Sequence, residues 1–206
     1  MRPPMLIVFL TLSAASITAR LLGGFPGYAF FKATPIWLLA FFVFRVRGSR
    51  LILLGLLFGS AGDVALSLDF AQSFVVGLAL FLVGHLFYAA EFWLHFRFRT
   101  GRLVLALLPV LAGFGLAIVL SPQLGNFALP VYLYVATILT MVVGSVFRDG
   151  PLWPLYAGSC VFMLSDSLIA VNKFLFAIPL AALWILGSYY PAQLLIALGA
   201  MRRLER

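Results

Sequence analysis

Polar positions in this chain are sparse enough to read as interruptions of an apolar text. Apolar residues dominate eight stretches, about 5–19, 31–44, 51–68, 73–94, 103–120, 128–147, 152–171 and 175–200. A helix of about 20 apolar residues matches the hydrocarbon thickness of a bilayer. The pattern therefore predicts an all-α polytopic membrane protein, one transmembrane domain over 1–206 built from about eight helices. The first two stretches are short for full spans. Met1 to Ala19 also has the form of a signal peptide, with Arg2 as its charged region and Ile17-Thr18-Ala19 as a small-residue cleavage site; without it, seven spans with the same basic loops would remain.

Composition agrees with the pattern: 64% of the 206 residues are hydrophobic and 10% are charged, which no water-soluble domain presents without a large exposed apolar surface. The net charge of +8 points to topology rather than to nucleic acid, because the basic residues fall in short clusters between the apolar runs. Arg45/Arg47/Arg50, Arg97/Arg99/Arg102, Arg148 and Arg202/Arg203/Arg206 occupy alternate loops and the C-terminus. The loops near Asp69 and Ser121 to Phe127 carry almost none. By the positive-inside rule both termini are cytoplasmic, and the expected location is the bacterial cytoplasmic membrane. Arg20, Lys32 and Lys173 sit on the other side, against the rule, which makes the lysines candidates for a charge belonging to a site. The lone Cys160 allows neither an intramolecular disulfide nor a cysteine-based metal site.

Two aspartates interrupt the apolar runs in passages that read alike. Gly62-Asp63-Val64-Ala65-Leu66-Ser67-Leu68-Asp69 lines up with Ser165-Asp166-Ser167-Leu168-Ile169-Ala170-Val171-Asn172, a carboxylate or its amide following six positions after each Asp. A carboxylate at membrane depth costs at least about 2.5–3.5 kcal/mol, so it is a functional-site hypothesis by default. Recurrence four spans apart suggests a 4+4 parallel internal repeat. Both Asp-bearing spans run outward, and each Asp lies about four to six residues before the outer end, roughly 6–9 Å deep at 1.5 Å per residue. Segment four brings His85 to mid-membrane with Tyr88 on the same face. Segment eight brings Tyr189, Tyr190 and Gln193 to mid-depth, with a kink expected at Pro191. These residues converge on a pocket that opens outward.

Plainer readings exist for each. Asp63 follows the small-residue stripe Gly55, Gly59 and Gly62, so it can serve as a hydrogen-bonded contact between close helices, as can Asp166 with Ser165 and Ser167. His85 can be a satisfied core histidine. Glu91 and His95 beside Arg97 read as a solvated ion-pair edge; Asp69, Asp149 and Glu205 fit loops or ends, and Tyr28, Trp37, Trp93 and Trp153 fit interfacial belts. The inventory lacks a three-histidine zinc site, a nucleophile elbow and a phosphate-binding glycine loop; no metal or cofactor is expected. A carboxylate pair with His, Tyr, Lys and Gln nearby suits general acid–base chemistry, one carboxyl protonated and its partner ionised.

The run Leu56 to Tyr88, with Gly62-Asp63, Asp69, Gly77, Phe81, Gly84-His85 and Tyr88, resembles a signature of the YhhN family, the lysoplasmalogenase-like membrane proteins. Phe162-Met163-Leu164-Ser165-Asp166-Ser167-Leu168 through Asn172-Lys173-Phe174 to Tyr189-Tyr190-x-Ala192-Gln193 resembles that family's C-terminal signature. One departure is Lys32-Ala33-Thr34-Pro35, where the family tends to place proline directly after the lysine. The resemblance implies a hydrolase that cleaves the vinyl ether of a lysoplasmalogen, or a related lysolipid or ether lipid, to a fatty aldehyde and a glycerophospho-headgroup. Its chemistry needs an acid to protonate the alkene carbon and a carboxylate to stabilise the resulting cation and activate water, as in glycosidases. Asp63 and Asp166 are the expected pair, in either order. His85, Tyr189 and Tyr190 orient them or the water, Lys32 and Lys173 hold the phosphate, and Asp69, Tyr88, Ser165, Asn172 and Gln193 complete the expected binding set. The expected partners are a lysophospholipid and the bilayer, with no nucleic acid. A proton-coupled carrier of a lipid or amphiphile, using the same Asp, His and Tyr residues as a relay, is the alternative.

Overall fold

A computed structural model describes residues 3–201. Arg2 of the expected signal-peptide region, and Arg202, Arg203, Glu205 and Arg206, lie outside the described residues. Eight helices follow one another: α1 Pro3–Leu21, α2 Tyr28–Arg45, α3 Arg50–Ser67, α4 Ser73–Trp93, α5 Leu103–Leu120, α6 Ala128–Phe147, α7 Leu155–Phe174 and α8 Ala181–Met201. All eight are long and apolar enough to cross a membrane. The two shortest expected spans are full helices of 19 and 18 residues, because Pro3 and Tyr28 extend them beyond the purely apolar stretch. The last two run later than hydropathy placed them, since the apolar segment Leu175–Leu180 is the α7–α8 connection rather than the start of a helix.

Inside a bilayer every backbone carbonyl needs a partner from the protein, and prolines within helices remove donors. Pro35 leaves the Phe31 carbonyl without its helical N–H, and the Thr34 hydroxyl donates to it instead at 2.8 Å. Pro109 likewise frees the Leu105 carbonyl, which accepts from the Tyr156 hydroxyl of α7 at 2.8 Å. That second repair also ties peripheral α5 to the bundle. α8 continues through Pro191.

The tightest packing is between α3 and α4 and between α7 and α8, with α4 also against α6 and α2 against α3. Glycines make the close approaches. A Cβ on Gly84 of α4 would sit 3.1 Å from the Gly55 carbonyl and 3.3 Å from the Gly59 nitrogen of α3; one on Gly158 of α7 would sit 2.9 Å from the Ile196 nitrogen of α8. The large buried side chains Phe81, Tyr88, Phe162, Tyr189 and Tyr190 fill the space between these two pairs. The site is therefore carried by two rigid helix pairs.

Several expectations change at the end of the bundle that carries Arg45, Arg97 and Arg148. Glu91 is not a solvated edge: it is 6% exposed, accepts a hydrogen bond from Ser49, the N-cap residue of α3, and faces the Arg148 guanidinium at 3.7 Å. Arg148 also donates to the Ala200 carbonyl of α8 at 3.0 Å, so the network binds α3, α4 and α8 to the α6–α7 loop. His95 stays at its rim, 3.7 Å from Glu91. Asp149 pairs with Arg99 at 2.9 Å and Arg97 at 3.6 Å. At the opposite end, Tyr28 begins α2 and is buried, its hydroxyl donating to the Ser16 carbonyl. Trp37 lies mid-helix and donates to Ser60 Oγ at 3.2 Å, a partner that moves it away from any interfacial belt.

The glycine contacts predict a contrast within the α7–α8 pair. Gly158→Ala forces backbone against backbone and should lower thermal stability by about 1–3 kcal/mol. Gly187→Ala, whose new methyl meets nothing within 4 Å, should be neutral or stabilising by up to about 1 kcal/mol. Melting curves of both variants in detergent read the difference.

Candidate active site

Asp63 stands one turn before the end of α3 and is buried. Its carboxylate Oδ1 meets the Lys32 ammonium of α2 at 2.9 Å. Lys32 also reaches Ser67 Oγ at 3.4 Å, and the Ser67 hydroxyl donates back to the Asp63 carbonyl. Lys32 is thus paired with Asp63 and also lines the polar cavity at the helix ends. Tyr190 of α8 fixes the lysine's backbone, donating to the Lys32 carbonyl at 2.9 Å, while its oxygen contacts Ser16 of α1. The second carboxylate oxygen, Oδ2, is buried without a hydrogen-bond partner.

A relay of amide and phenol groups runs past this oxygen. Tyr88 of α4 donates to Gln193 Oε1 at 2.6 Å, which fixes the amide so that Nε2 donates to the Tyr189 hydroxyl at 3.1 Å. Having accepted that bond, Tyr189 keeps its own proton to give, and its hydroxyl lies beside Asp63 and Gly59. The glycine matters here, since a Cβ at position 59 would lie 3.1 Å from Gln193 Nε2.

Asp166 of α7 is held differently. Its Oδ2 accepts from the Tyr134 hydroxyl of α6 at 2.5 Å and faces His85 Nε2 of α4 at 3.4 Å. His85 Nδ1 lies 2.7 Å from the Phe81 carbonyl, which can only accept, so Nδ1 carries a hydrogen and Nε2 presents a lone pair in the neutral ring. Two acceptors facing one another across a buried gap call for a proton between them. Phe162, stacked edge-on at 4.5 Å between ring centres, packs against the imidazole. One aspartate is therefore paired with a cation, and the other faces a buried histidine nitrogen that has no hydrogen-bond partner.

Two cavities lie nearby, one reached by Asp166 and the other by Lys32, while Asp63 and His85 line neither. An apolar chamber of about 70 Å³ is lined by Asp166, Tyr134, Phe81 and aliphatic residues of α4 to α7. A polar vestibule of about 340 Å³ at the helix ends is lined by Arg20, Tyr28, Lys32, Ser67, Asn172 and Lys173. Leu66, Phe74 and Ile169 line both and form the partition. A wider groove of about 580 Å³ between α5 and α6 is apolar and carries none of the expected site residues.

Of those residues, the structure gathers Asp63, Lys32, Tyr189, Gln193 and Tyr88 into one network and Asp166 with His85 into another; Lys173 and Asn172 stand in the vestibule. Ser165 is turned away, donating to the Ile185 carbonyl of α8 at 3.0 Å. Asp69 is exposed in the α3–α4 loop and lines neither cavity, because the helix ends at Ser67 and releases it from the face that Asp63 shares. Sequence reading missed Tyr134, one tyrosine among several in an aromatic-rich span, and did not place Arg20 in a site. Among the described residues no three His, Cys, Asp or Glu side chains cluster as a metal set.

The family model described as the YhhN family matches residues 27–200. The chain belongs to the YhhN family. Among its relatives, it is 36% identical to the human protein named lysoplasmalogenase TMEM86A, over 75% of this chain and 66% of that one. It is 33% identical to the bovine lysoplasmalogenase TMEM86A, over 86% and 79%, and 29% identical to the Mycobacterium tuberculosis lysoplasmalogenase, over 74% and 61%. No solved structure matches. All the site residues above except Ser16 and Arg20 fall inside the stretch that carries the YhhN family match.

The buried ion pair makes a testable prediction. Lys32→Met should destabilise the protein by about 3–5 kcal/mol, because it leaves Asp63 as an unpaired buried charge. Adding Asp63→Asn to that variant should recover most of the loss. Denaturation of the single and double variants in detergent forms the cycle that checks it.

Proposed function

We propose that this YhhN protein is a membrane-embedded hydrolase that adds water across the vinyl ether of a lysoplasmalogen, releasing a fatty aldehyde and a glycerophospho-headgroup. The relatives named lysoplasmalogenase support the reaction, and one observation supports the mechanism: the two aspartates are held in different states, Asp63 by Lys32 and Asp166 by His85 and Tyr134. Acid–base chemistry needs such an inequality, and two carboxyl groups in like surroundings would lack it.

Asp166 and His85 hold one proton between them, aligned by the Tyr134 hydroxyl and walled by Phe81 and Phe162. That proton moves to the second carbon of the alkenyl chain, and the electron pair of the double bond forms the new C–H bond. Positive charge appears on the first carbon and is shared with the ether oxygen. Asp63 Oδ2 stabilises it and accepts a proton as water bonds to that carbon. The hemiacetal then collapses: its hydroxyl proton passes to the Asp166–His85 pair, its oxygen forms the aldehyde carbonyl, the bond to the glycerol oxygen breaks, and the proton taken up by Asp63 goes to that oxygen. Proton transfer by a positioned group is typically worth 10²–10⁴-fold, and electrostatic stabilisation of the cation by a fixed carboxylate in a dry site adds to it. The vestibule takes the headgroup and the chamber takes the first carbons of the chain, with the remainder extending to the lipid. By the positive-inside rule the vestibule opens away from the cytoplasm.

Purified protein in detergent, with no gradient, should release aldehyde from lysoplasmalogen. Asp63→Asn and Asp166→Asn should each lose it while remaining folded. In D2O the aldehyde should carry one deuterium at its second carbon. Near-normal turnover in both variants would sink the mechanism; substrate uptake into vesicles without cleavage would move the reading to a carrier.

A further inference from the structure

We infer that the vestibule binds the phosphate of an ether lysolipid without requiring a headgroup base, so that the substrates of this chain include 1-alkenylglycerol 3-phosphates. The inference rests on the reaction proposed above and concerns the charge that its headgroup site is built to accept.

Three basic residues lie at the vestibule end of the bundle, Arg20, Lys32 and Lys173, and all three line that one cavity. Every other Lys or Arg among the described residues sits at the opposite end. Cations scattered at an interface only to anchor helices would not be expected to converge on one concavity. They are also unequal. Lys32 is neutralised by Asp63 at 2.9 Å. Arg20 and Lys173 have no carboxylate within ion-pair distance among the described residues, which leaves the cavity with two uncompensated positive charges.

The remaining polar lining offers donors. The Asn172 Oδ1 accepts the Ile178 N–H at 2.8 Å, which leaves its amide hydrogens to give. Lys173 is held 5.2 Å from the centre of the Phe74 ring, above the partition where a headgroup would meet its chain. No Asp or Glu lines the vestibule. An ammonium or choline group needs a carboxylate or a cage of aromatic faces; here one ring face already carries Lys173, and the Tyr28 ring is buried with its hydroxyl spent on the Ser16 carbonyl. A phosphomonoester carries a charge of about −1.5 to −2 near neutrality, matching the two free cations. A phosphodiester bearing a base is zwitterionic and leaves them partly unmatched.

Saturated 1-O-alkyl analogues test this without turnover, because they lack the alkene. Their affinities for the purified protein in neutral detergent should rank the 3-phosphate at least equal to the 3-phosphocholine lipid, and the alkylglycerol without phosphate about tenfold weaker or more, the ordinary worth of one charge-assisted hydrogen bond. Arg20→Gln and Lys173→Gln, both at exposed positions, should each weaken the phosphate lipid about tenfold and leave the alkylglycerol unchanged. A phosphocholine lipid that binds more tightly than the monoester overturns the inference, as does equal binding with and without phosphate. Glycerol 3-phosphate alone binding as tightly as the lipid would assign the site to free phosphate and overturn it too. Cleavage of choline lysoplasmalogen alongside weak monoester binding would retain the reaction and remove this site; the predicted binding order without cleavage would do the reverse.

Discussion

A carboxylate inside a bilayer persists as an anion only beside a fixed cation, and otherwise only by sharing a proton. The two aspartates of this chain stand in different surroundings, Asp63 near the end of α3 and Asp166 deeper in α7. Lys32 and Asp63 form an ion pair, and it sets more than local charge. The pair joins α2 to α3, requires Tyr190 of α8 to hold the Lys32 backbone, and draws Ser16 and Tyr28 behind it. Asp166 faces His85 and accepts from Tyr134, joining α7 to α4 and α6. The polar atoms proposed to carry the chemistry are therefore also contacts between helices.

The same solvent logic explains the aromatic content of the core. A lipid-facing helix gains little by burying leucine, so packing and hydrogen bonds must do what the hydrophobic effect does in water. Glycines on α3, α4 and α7 bring backbones close, and Tyr88, Phe81 and Tyr189 occupy the surfaces the glycines leave bare. Tyrosine suits this place because one end packs and the other donates. Tyr156 shows the economy of it: the hydroxyl that satisfies the carbonyl freed by Pro109 is also the attachment of α5 to α7.

Legibility in the sequence follows range. Eight spans were legible because hydropathy is a local sum, and the errors at α7 and α8 arose where an apolar loop looks like an apolar helix. Asp63, Asp166 and His85 were legible because a polar atom in an apolar run is conspicuous by itself. Lys32 was visible as an exception to the charge rule, but its partner was not, since nothing between residues 32 and 63 encodes their meeting. The Glu91–Arg148 contact was misread for the same reason: from the sequence, Glu91 has near neighbours in His95 and Arg97, whereas the fold supplies Arg148 and Ser49. Tyr134 carried no local signal, because aromatic residues in spans are common and only the position of Asp166 gives this one a role.

The two charged networks also divide the labour of the bundle. At one end Glu91, Arg148, Arg99, Arg102 and Asp149 hold loops and helix termini to each other: Arg148 and Arg102 donate to backbone carbonyls, Arg148 also faces Glu91, and Arg99 pairs with Asp149. At the other end the donors are not closed upon the protein. Asp63 keeps an oxygen without a partner, Tyr189 keeps a proton, and Arg20 and Lys173 keep their charge beside open volume. A buried polar atom without a partner costs free energy. One such atom, Arg148 Nε, lies at the arginine-rich end; the others, Asp63 Oδ2 and His85 Nε2, belong to the networks whose partners Lys32 and Asp166 line two adjoining cavities of opposite polarity, and this is the physical reason to look for an amphiphile there.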